Sequence, residues 1–316
     1  MIVDFLKKYK WAYSTSNFFN RKKLKHNLPL YKKYQIDKAY FQSLNANDFD
    51  HLPPNLPTHD VKNSKDELIK KEDFKNLDEK TQQSLLNWSD NGYVILESFY
   101  QKEEVDLIND EVEKLLQQKK ISWDDNRIMF AIKKSALLAS AATFPKLKSC
   151  IDLLMDKEME LFQSINFYES SQQRTHSDSI HMSTYPKGNI IAVWIALEDV
   201  GIEDGPLHFY PGSHKLPYIM NSDFGNNSTS FKLGDKSYGH YEDKIEQVLQ
   251  KNKQLEKKLF LAKKGDILIW HANLLHGAEL KTNPKASRKS MVFHYYAKDA
   301  IAFHEITERP TLKHAF

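Results

Sequence analysis

The chain has 316 residues, 41% hydrophobic and 12% aromatic, with a formal net charge of +3, which suits one large or two modest soluble domains with a sizeable core. A single cysteine, Cys150, excludes an internal disulfide and any cysteine-based metal cluster, and points to a reducing compartment. No apolar run reaches the length of a membrane span, and Met1-Ile-Val-Asp-Phe-Leu-Lys-Lys is too short and too charged for a secretory signal, so a cytoplasmic protein is expected.

In chain order, residues 1–84 read as an N-terminal extension. Its first 40 residues hold ten lysines or arginines against Asp4 and Asp37, a net +8, which leaves about −5 for the rest. This basic head carries Phe5, Tyr9, Trp11, Tyr13, Phe18 and Phe19, and two readings are open. It could touch an anionic membrane surface or a partner. The plainer reading is an appended segment whose aromatics pack on the main domain while its lysines stay solvated. No nucleic-acid signature accompanies the charge, so nucleic acid is not expected. Leu52-Pro-Pro-Asn-Leu-Pro reads as a rigid connector, and Glu67 to Leu86 as a charged, helix-prone stretch.

Composition shifts at Trp88-Ser-Asp-Asn-Gly-Tyr-Val-Ile-Leu, where a turn at Asn91-Gly92 leads into a strand over Tyr93 to Phe99. Gln101 to Gln118 is an amphipathic helix, with Val105, Ile108, Val112, Leu115 and Leu116 on one face. Helical periodicity covers the region around Arg127 to Lys134 and continues to Met159, interrupted near Pro145. Short strands follow at Leu161–Tyr168, Ile190–Leu197, Pro206–Tyr210, Lys258–Ala262, Ile267–His271 and Arg288–Tyr296, separated by Gly, Pro, Asn or Asp. Such a series predicts a mainly β domain over 85–316, with flanking helices and a sandwich or jelly-roll core. An insertion at 218–256 interrupts it, polar at first and helical from about Glu242. Long insertions of this kind are more often functional than structural, so it is a candidate substrate lid.

Chemistry concentrates around His176-Ser-Asp178. In an extended segment these two side chains share a face, and an imidazole beside a carboxylate is two-thirds of the facial site that holds non-haem Fe(II). A third ligand must come from downstream, and His271 and His276 are both placed for it. Strand alternation does not choose between them, because the segment bends after His271. Arg288 offers a planar fork matched to a carboxylate, and Ser290 follows on the same strand face. Gln163 and Asn166 are polar residues in an apolar strand.

From about Trp88 to Ala302 the chain resembles the phytanoyl-CoA dioxygenase family of Fe(II)/2-oxoglutarate oxygenases. The resemblance rests, in order, on Asp90-Asn-Gly-Tyr-Val-Ile-Leu-Glu-Ser-Phe, His176-Ser-Asp178, Ala192-Val-Trp-Ile-Ala-Leu-Glu-Asp-Val, Asp204-Gly-Pro-Leu, Pro211-Gly-Ser-His-Lys, Leu274-Leu-His276-Gly and Arg288. It implies a double-stranded β-helix of the cupin-like kind. It implies His176, Asp178 and His276 as metal ligands and catalytic centre, so His276 is preferred to His271. Arg288, Ser290, Gln163, Asn166 and Trp194 become candidates to contact 2-oxoglutarate, and Arg127 and His181 to contact substrate. The family often has a hydroxyl residue two positions after the distal histidine. Here Ala278 stands there, which leaves Arg288 and Ser290 more of the task. Fe(II), 2-oxoglutarate and O2 are the implied cofactors, and hydroxylation of a small or lipid-like C–H substrate with release of succinate and CO2 the implied reaction. Asp178 argues against halogenation, which needs that position vacated. Desaturation, epimerisation, ring formation or a non-catalytic metal-binding role remain as alternatives. Arg127, Lys133, Lys134 and Lys187 hint at an anionic substrate.

Overall fold

Alternating apolar residues in short runs can bury one face against helices and the other against a second sheet, and the chain does both. A computed structural model describes residues 8–53 and 56–313; Phe5 and residues 54–55 of the proline-rich connector lie outside them. Among the described residues the strands are β1 (Tyr93–Leu96), β2 (Arg127–Met129), β3 (Met159–Phe167), β4 (Ser183–Tyr185), β5 (Ile190–Ala196), β6 (Leu207–Phe209), β7 (Lys258–Phe260), β8 (Ile267–His271), β9 (His276–Ala278), β10 (Ser290–Ala297), β11 (Ile301–His304) and β12 (Arg309–Pro310). Six form an antiparallel sheet in the order β1-β8-β5-β10-β3-β2, and two three-stranded sheets, β7-β6-β9 and β12-β11-β4, accompany it. This is a jelly-roll arrangement of antiparallel strands.

Strand alternation divides the core. Ile191, Val193 and Ile195 of β5, Ile267 and Ile269 of β8, and Met291, Phe293 and Tyr295 of β10 face helices. Their neighbours Ala192, Trp194, Leu268, Trp270 and Val292 face inward, against Leu207 and Phe209 of β6 and Phe260 of β7. The site lies on this inner face. Four helices matter below: α1 (Lys10–Phe19), α2 (Lys102–Gln117), α3 (Pro145–Met155) and α4 (Tyr238–Lys251). The apolar stripe of α2, Val105, Ile108, Val112 and Leu115, is buried against the outer face of the large sheet. Pro145 sits in the first turn of α3, where its missing N–H costs nothing.

Three expectations change. The charged stretch after Glu67 is three short helices, Lys65–Leu68, Glu72–Lys75 and Glu79–Leu85; the Asp78 carboxylate accepts from the Thr81 N–H at 2.9 Å and restarts the chain as an N-cap. Arg127–Met129 is a strand, β2, paired with β3. Helix α4 begins at Tyr238, a turn before Glu242.

Candidate metal centre and its cavity

His176 and His276 are brought face to face by backbone pairing. The His176 N–H donates to the His276 carbonyl at 2.8 Å and the His276 N–H returns the bond at 2.9 Å, which sets the rings 4.5 Å apart. Each ring turns its Nδ1 to a backbone carbonyl two residues earlier, His176 to Arg174 and His276 to Leu274, both at 2.9 Å. A carbonyl only accepts, so Nδ1 carries the proton and Nε2 is left bare.

Asp178 completes the cluster. Its Oδ1 lies 3.9 Å from His176 Nε2 and 3.7 Å from His276 Nε2. Its Oδ2 accepts the indole N–H of Trp270 at 2.7 Å and lies 3.7 Å from His294 Nε2. All three residues are buried. Burial, with His276 nearby, pushes the His176 pKa down to about 3, keeping that ring neutral. Burial alone would raise the Asp178 pKa, but His276, His294 and His176 outweigh it and hold the carboxyl well below its ordinary range. Two imidazoles and one carboxylate, with Nε2, Nε2 and Oδ1 converging, fit a divalent cation of the Fe(II) kind.

A cavity of about 490 Å³ opens on these atoms. Arg288 lines it, only 1% exposed, with Nε and Nη1 lacking any hydrogen-bond partner among the described residues. Its guanidinium lies 5.7 Å from the Trp194 ring and 5.9 Å from Phe167. Burial lowers its pKa to about 10 against the pull of Glu198, so it remains a cation at neutral pH. A buried, unpaired guanidinium is costly unless an anion joins it. Ser290 Oγ, Trp194 Nε1, Gln163 Oε1 and His294 Nδ1 are also buried without partners. Gln163, Trp194 and His294 line the cavity with Arg288, and Ser290 shares the inward parity of Arg288, Val292 and His294.

Asn166 is elsewhere. Gln163 and Asn166 are three apart on β3, so they face opposite sides. Asn166 pairs in register with Met291, whose side chain is in the outer core, and borders a small pocket with Asn109, Val112 and Trp123. The expected contact with 2-oxoglutarate is therefore not available to it.

Arg127 and His181 both line the cavity. Arg127 reaches it from β2, its guanidinium 5.9 Å from the Phe167 ring. Burial takes the His181 pKa down to about 4, and its ring stacks on Tyr238 of α4 at 4.9 Å. Lys133, Lys134 and Lys187 are not among the lining residues. Sequence reasoning did not find His294, Trp270, His304 or Tyr238. His294 was within reach, since it continues the even-numbered series from Arg288 along one strand face. His304 and Tyr238 arrive from β11 and α4, and no local pattern announces them.

His271 lies on the other side of the sheet. It belongs to a second cluster, in which Asp60 Oδ1 is 3.4 Å from His59 Nε2 and 3.3 Å from His271 Nε2. The Asn273 N–H donates to His271 Nδ1 at 3.1 Å, so the ring proton sits on Nε2, facing Asp60 and the Gly188 carbonyl. A protonated nitrogen is no metal ligand. The cluster is a polar latch between the N-terminal segment and β8, with the Tyr218 hydroxyl donating to Asp60 Oδ2 at 3.3 Å.

Residues 88–290 match the sequence model of the phytanoyl-CoA dioxygenase family. A phytanoyl-CoA dioxygenase domain-containing protein 1 homolog of Dictyostelium discoideum is 24% identical over 69% of this chain and 92% of its own length. Its namesake in Danio rerio is 30% identical over 38% of this chain, a match spanning only 37% of that relative. Among solved structures, the α-ketoglutarate-dependent carbocyclase SnoK aligns over 73% of this chain and 88% of its own, with TM-score 0.58 and 19% identity. EctD of S. alaskensis with bound Fe aligns over 68% and 76%, with TM-score 0.52 and 19% identity.

Proposed function

Because the chain belongs to the phytanoyl-CoA dioxygenase family, we propose that it is an Fe(II)- and 2-oxoglutarate-dependent oxygenase that hydroxylates a C–H bond of a small, lipid-like or anionic molecule. The observation that carries this reading is the juxtaposition of a buried His176–Asp178–His276 cluster with the unpaired Arg288 in one cavity. His176 Nε2, His276 Nε2 and Asp178 Oδ1 would hold the metal, and 2-oxoglutarate and O2 would reach it from the cavity. When bound, Fe(II) and 2-oxoglutarate supply the oxidation, in which one O2 converts 2-oxoglutarate to succinate and CO2 and substrate C–H to C–OH.

The chain's own residues bind and orient. The Arg174 and Leu274 carbonyls fix the tautomers of both imidazoles, and the Trp270 indole fixes the Asp178 carboxylate. Arg288 would take the distal carboxylate of 2-oxoglutarate, helped by the Ser290 hydroxyl, with Gln163 and Trp194 alongside. Ile165, Phe167, Leu207 and Val292 keep water from the centre. Arg127, His181, His304 and Tyr238 wall the substrate end, and the 218–256 insertion, through α4, acts as its cover.

Calorimetric titration with Mn(II) in place of Fe(II) tests the cofactor half. The wild type should bind 2-oxoglutarate, Arg288→Ala should bind it about 10- to 100-fold more weakly, and His176→Ala or Asp178→Ala should lose metal-dependent binding and all succinate formation with Fe(II). Succinate release retained in either metal-site variant would sink the assignment. Screening small carboxylates and acyl thioesters for stimulated succinate release then identifies the substrate class.

A further inference from the structure

Helix α1 is built inside out. Its inward face carries Asn17, 5% exposed with an unpartnered Nδ2, and Lys10, whose ammonium meets Glu308 at 2.6 Å and the Ser228 hydroxyl at 2.8 Å. Tyr13 lies under the Arg309 guanidinium at 5.2 Å. Its outward face carries Trp11, Phe18 and Phe19, 56%, 43% and 79% exposed, at the i, i+7, i+8 spacing of one helical stripe. Tyr13 thus packs inward, while Trp11 and Phe19 face solvent and Phe18, edge-on to Phe41 at 5.4 Å, is partly covered. A fourth exposed aromatic comes from the 218–256 insertion. The Lys10 N–H donates to the Phe231 carbonyl at 2.9 Å and the Leu233 N–H to the Lys8 carbonyl at 3.0 Å, which sets Phe231, 76% exposed, beside the start of α1.

The chain that carries and follows this stripe is strongly basic. Between residues 8 and 36 there are eight lysines or arginines and no acidic residue. Arg21 covers the Phe18 ring at 4.3 Å, and Lys22, Lys25 and Lys32 are exposed without a carboxylate partner among the described residues. Water alone does not favour an outward aromatic stripe. Exposed Trp and Phe rimmed by lysines is the composition that seats in the headgroup layer of an anionic bilayer, rings toward the acyl boundary and ammonium groups among phosphates. A second copy of the chain is a poor occupant, because two-fold pairing would bring the same cationic patch against itself.

We propose that α1, the basic turns after it and Phe231 form a peripheral docking surface for an anionic membrane leaflet. The insertion is part of it, since Phe231 precedes the cavity residue Tyr238 by seven positions in the chain.

The test is co-sedimentation of the full chain with large vesicles of phosphatidylcholine, with and without phosphatidylserine, at low and high salt. The wild type should sediment with the phosphatidylserine vesicles, less so in high salt, and stay in solution with phosphatidylcholine alone. Lys22→Gln/Lys25→Gln/Lys32→Gln should lower the partition coefficient about a hundredfold, at roughly fivefold per basic residue, and Trp11→Ser/Phe18→Ser/Phe19→Ser should lower it at least tenfold. Mn(II)-dependent 2-oxoglutarate binding in both variants should stay at the wild-type value, which separates loss of docking from loss of fold. Absence of phosphatidylserine-dependent sedimentation, or sedimentation unchanged in the aromatic variant, overturns the proposal. So does a wild-type dimer in light scattering that the aromatic variant dissolves, which would give the face to a second copy.

Discussion

Asp178 divides its carboxylate between two tasks. Oδ1 faces the two bare imidazole nitrogens, while Oδ2 is occupied by the Trp270 indole N–H at 2.7 Å. With Oδ2 held, the carboxylate presents one oxygen to the two imidazoles rather than swinging between two. Trp270→Phe would keep most of the ring that packs 4.8 Å from His276 but remove the donor. Its expected effect is a 10- to 100-fold loss of Mn(II) affinity, read by chelator competition, with little change in unfolding midpoint; unchanged affinity would show that the indole does not hold the carboxylate. At this scale the sequence was informative where spacing is short. His176 and Asp178 share a face across the extended Ser177, although Asp178 itself opens a 3-10 turn, and Arg288 with Ser290 follow strand alternation. The same rule, applied strictly, separates Gln163 from Asn166, three apart and on opposite faces. A register irregularity opposite His294 and Tyr295 leaves Phe162 without a partner on β10, and this bulge shifts the parity of β3. Such a shift has no sequence signal, so which of the two amides faces inward could be read only from the structure.

Helix α4 is tied to the segment that carries His176 and Asp178 by two kinds of contact of unequal worth. On the surface, Arg174 meets Glu242, Asp243 and Glu246 at 3.2, 3.0 and 2.6 Å, but its side chain is 42% exposed and such pairs contribute about 0–1 kcal/mol each. In the interior, the Tyr241 hydroxyl accepts the Ser177 backbone N–H at 2.9 Å, between His176 and Asp178. Removing that hydroxyl strands a buried donor, at a cost of about 1–3 kcal/mol. Tyr241→Phe should therefore lower the unfolding free energy by more than Arg174→Ala does, and should also weaken Mn(II) binding, whereas Arg174→Ala should leave the metal nearly untouched. Equal effects in urea unfolding and metal titration would reverse that ranking. The existence of this helix was legible from its composition. Its first turn was not, because Tyr238 and Tyr241 follow a polar run with no capping residue that bonds, and their partners lie more than sixty residues away.

The N-terminal segment, the insertion and the C-terminal strands meet at one buried carboxyl. Glu305 is 1% exposed; its Oε2 accepts the Ala46 N–H at 2.9 Å and its Oε1 the Asn221 N–H at 3.3 Å, while its backbone carbonyl accepts from the Asn221 side chain at 2.8 Å. Burial pushes its pKa up to about 7 from 4.5, only partly opposed by those two amides. The folded protein thus holds this proton more tightly than the unfolded chain does. Its contribution to stability is full below about pH 4.5, fades as pH rises toward 7 and is gone above it, a span of at most about 3 kcal/mol. Glu305→Gln is neutral throughout, so it should lack this slope. At pH 5 the variant should be slightly less stable than the wild type, because one side of its amide turns N–H groups toward a backbone donor. By pH 8 that difference should shrink or invert. Urea unfolding of both proteins from pH 5 to 8 checks it, and since every other titrating group is common to the two, the difference curve isolates Glu305. Parallel curves would mean that the junction of the three segments takes no part in the pH response.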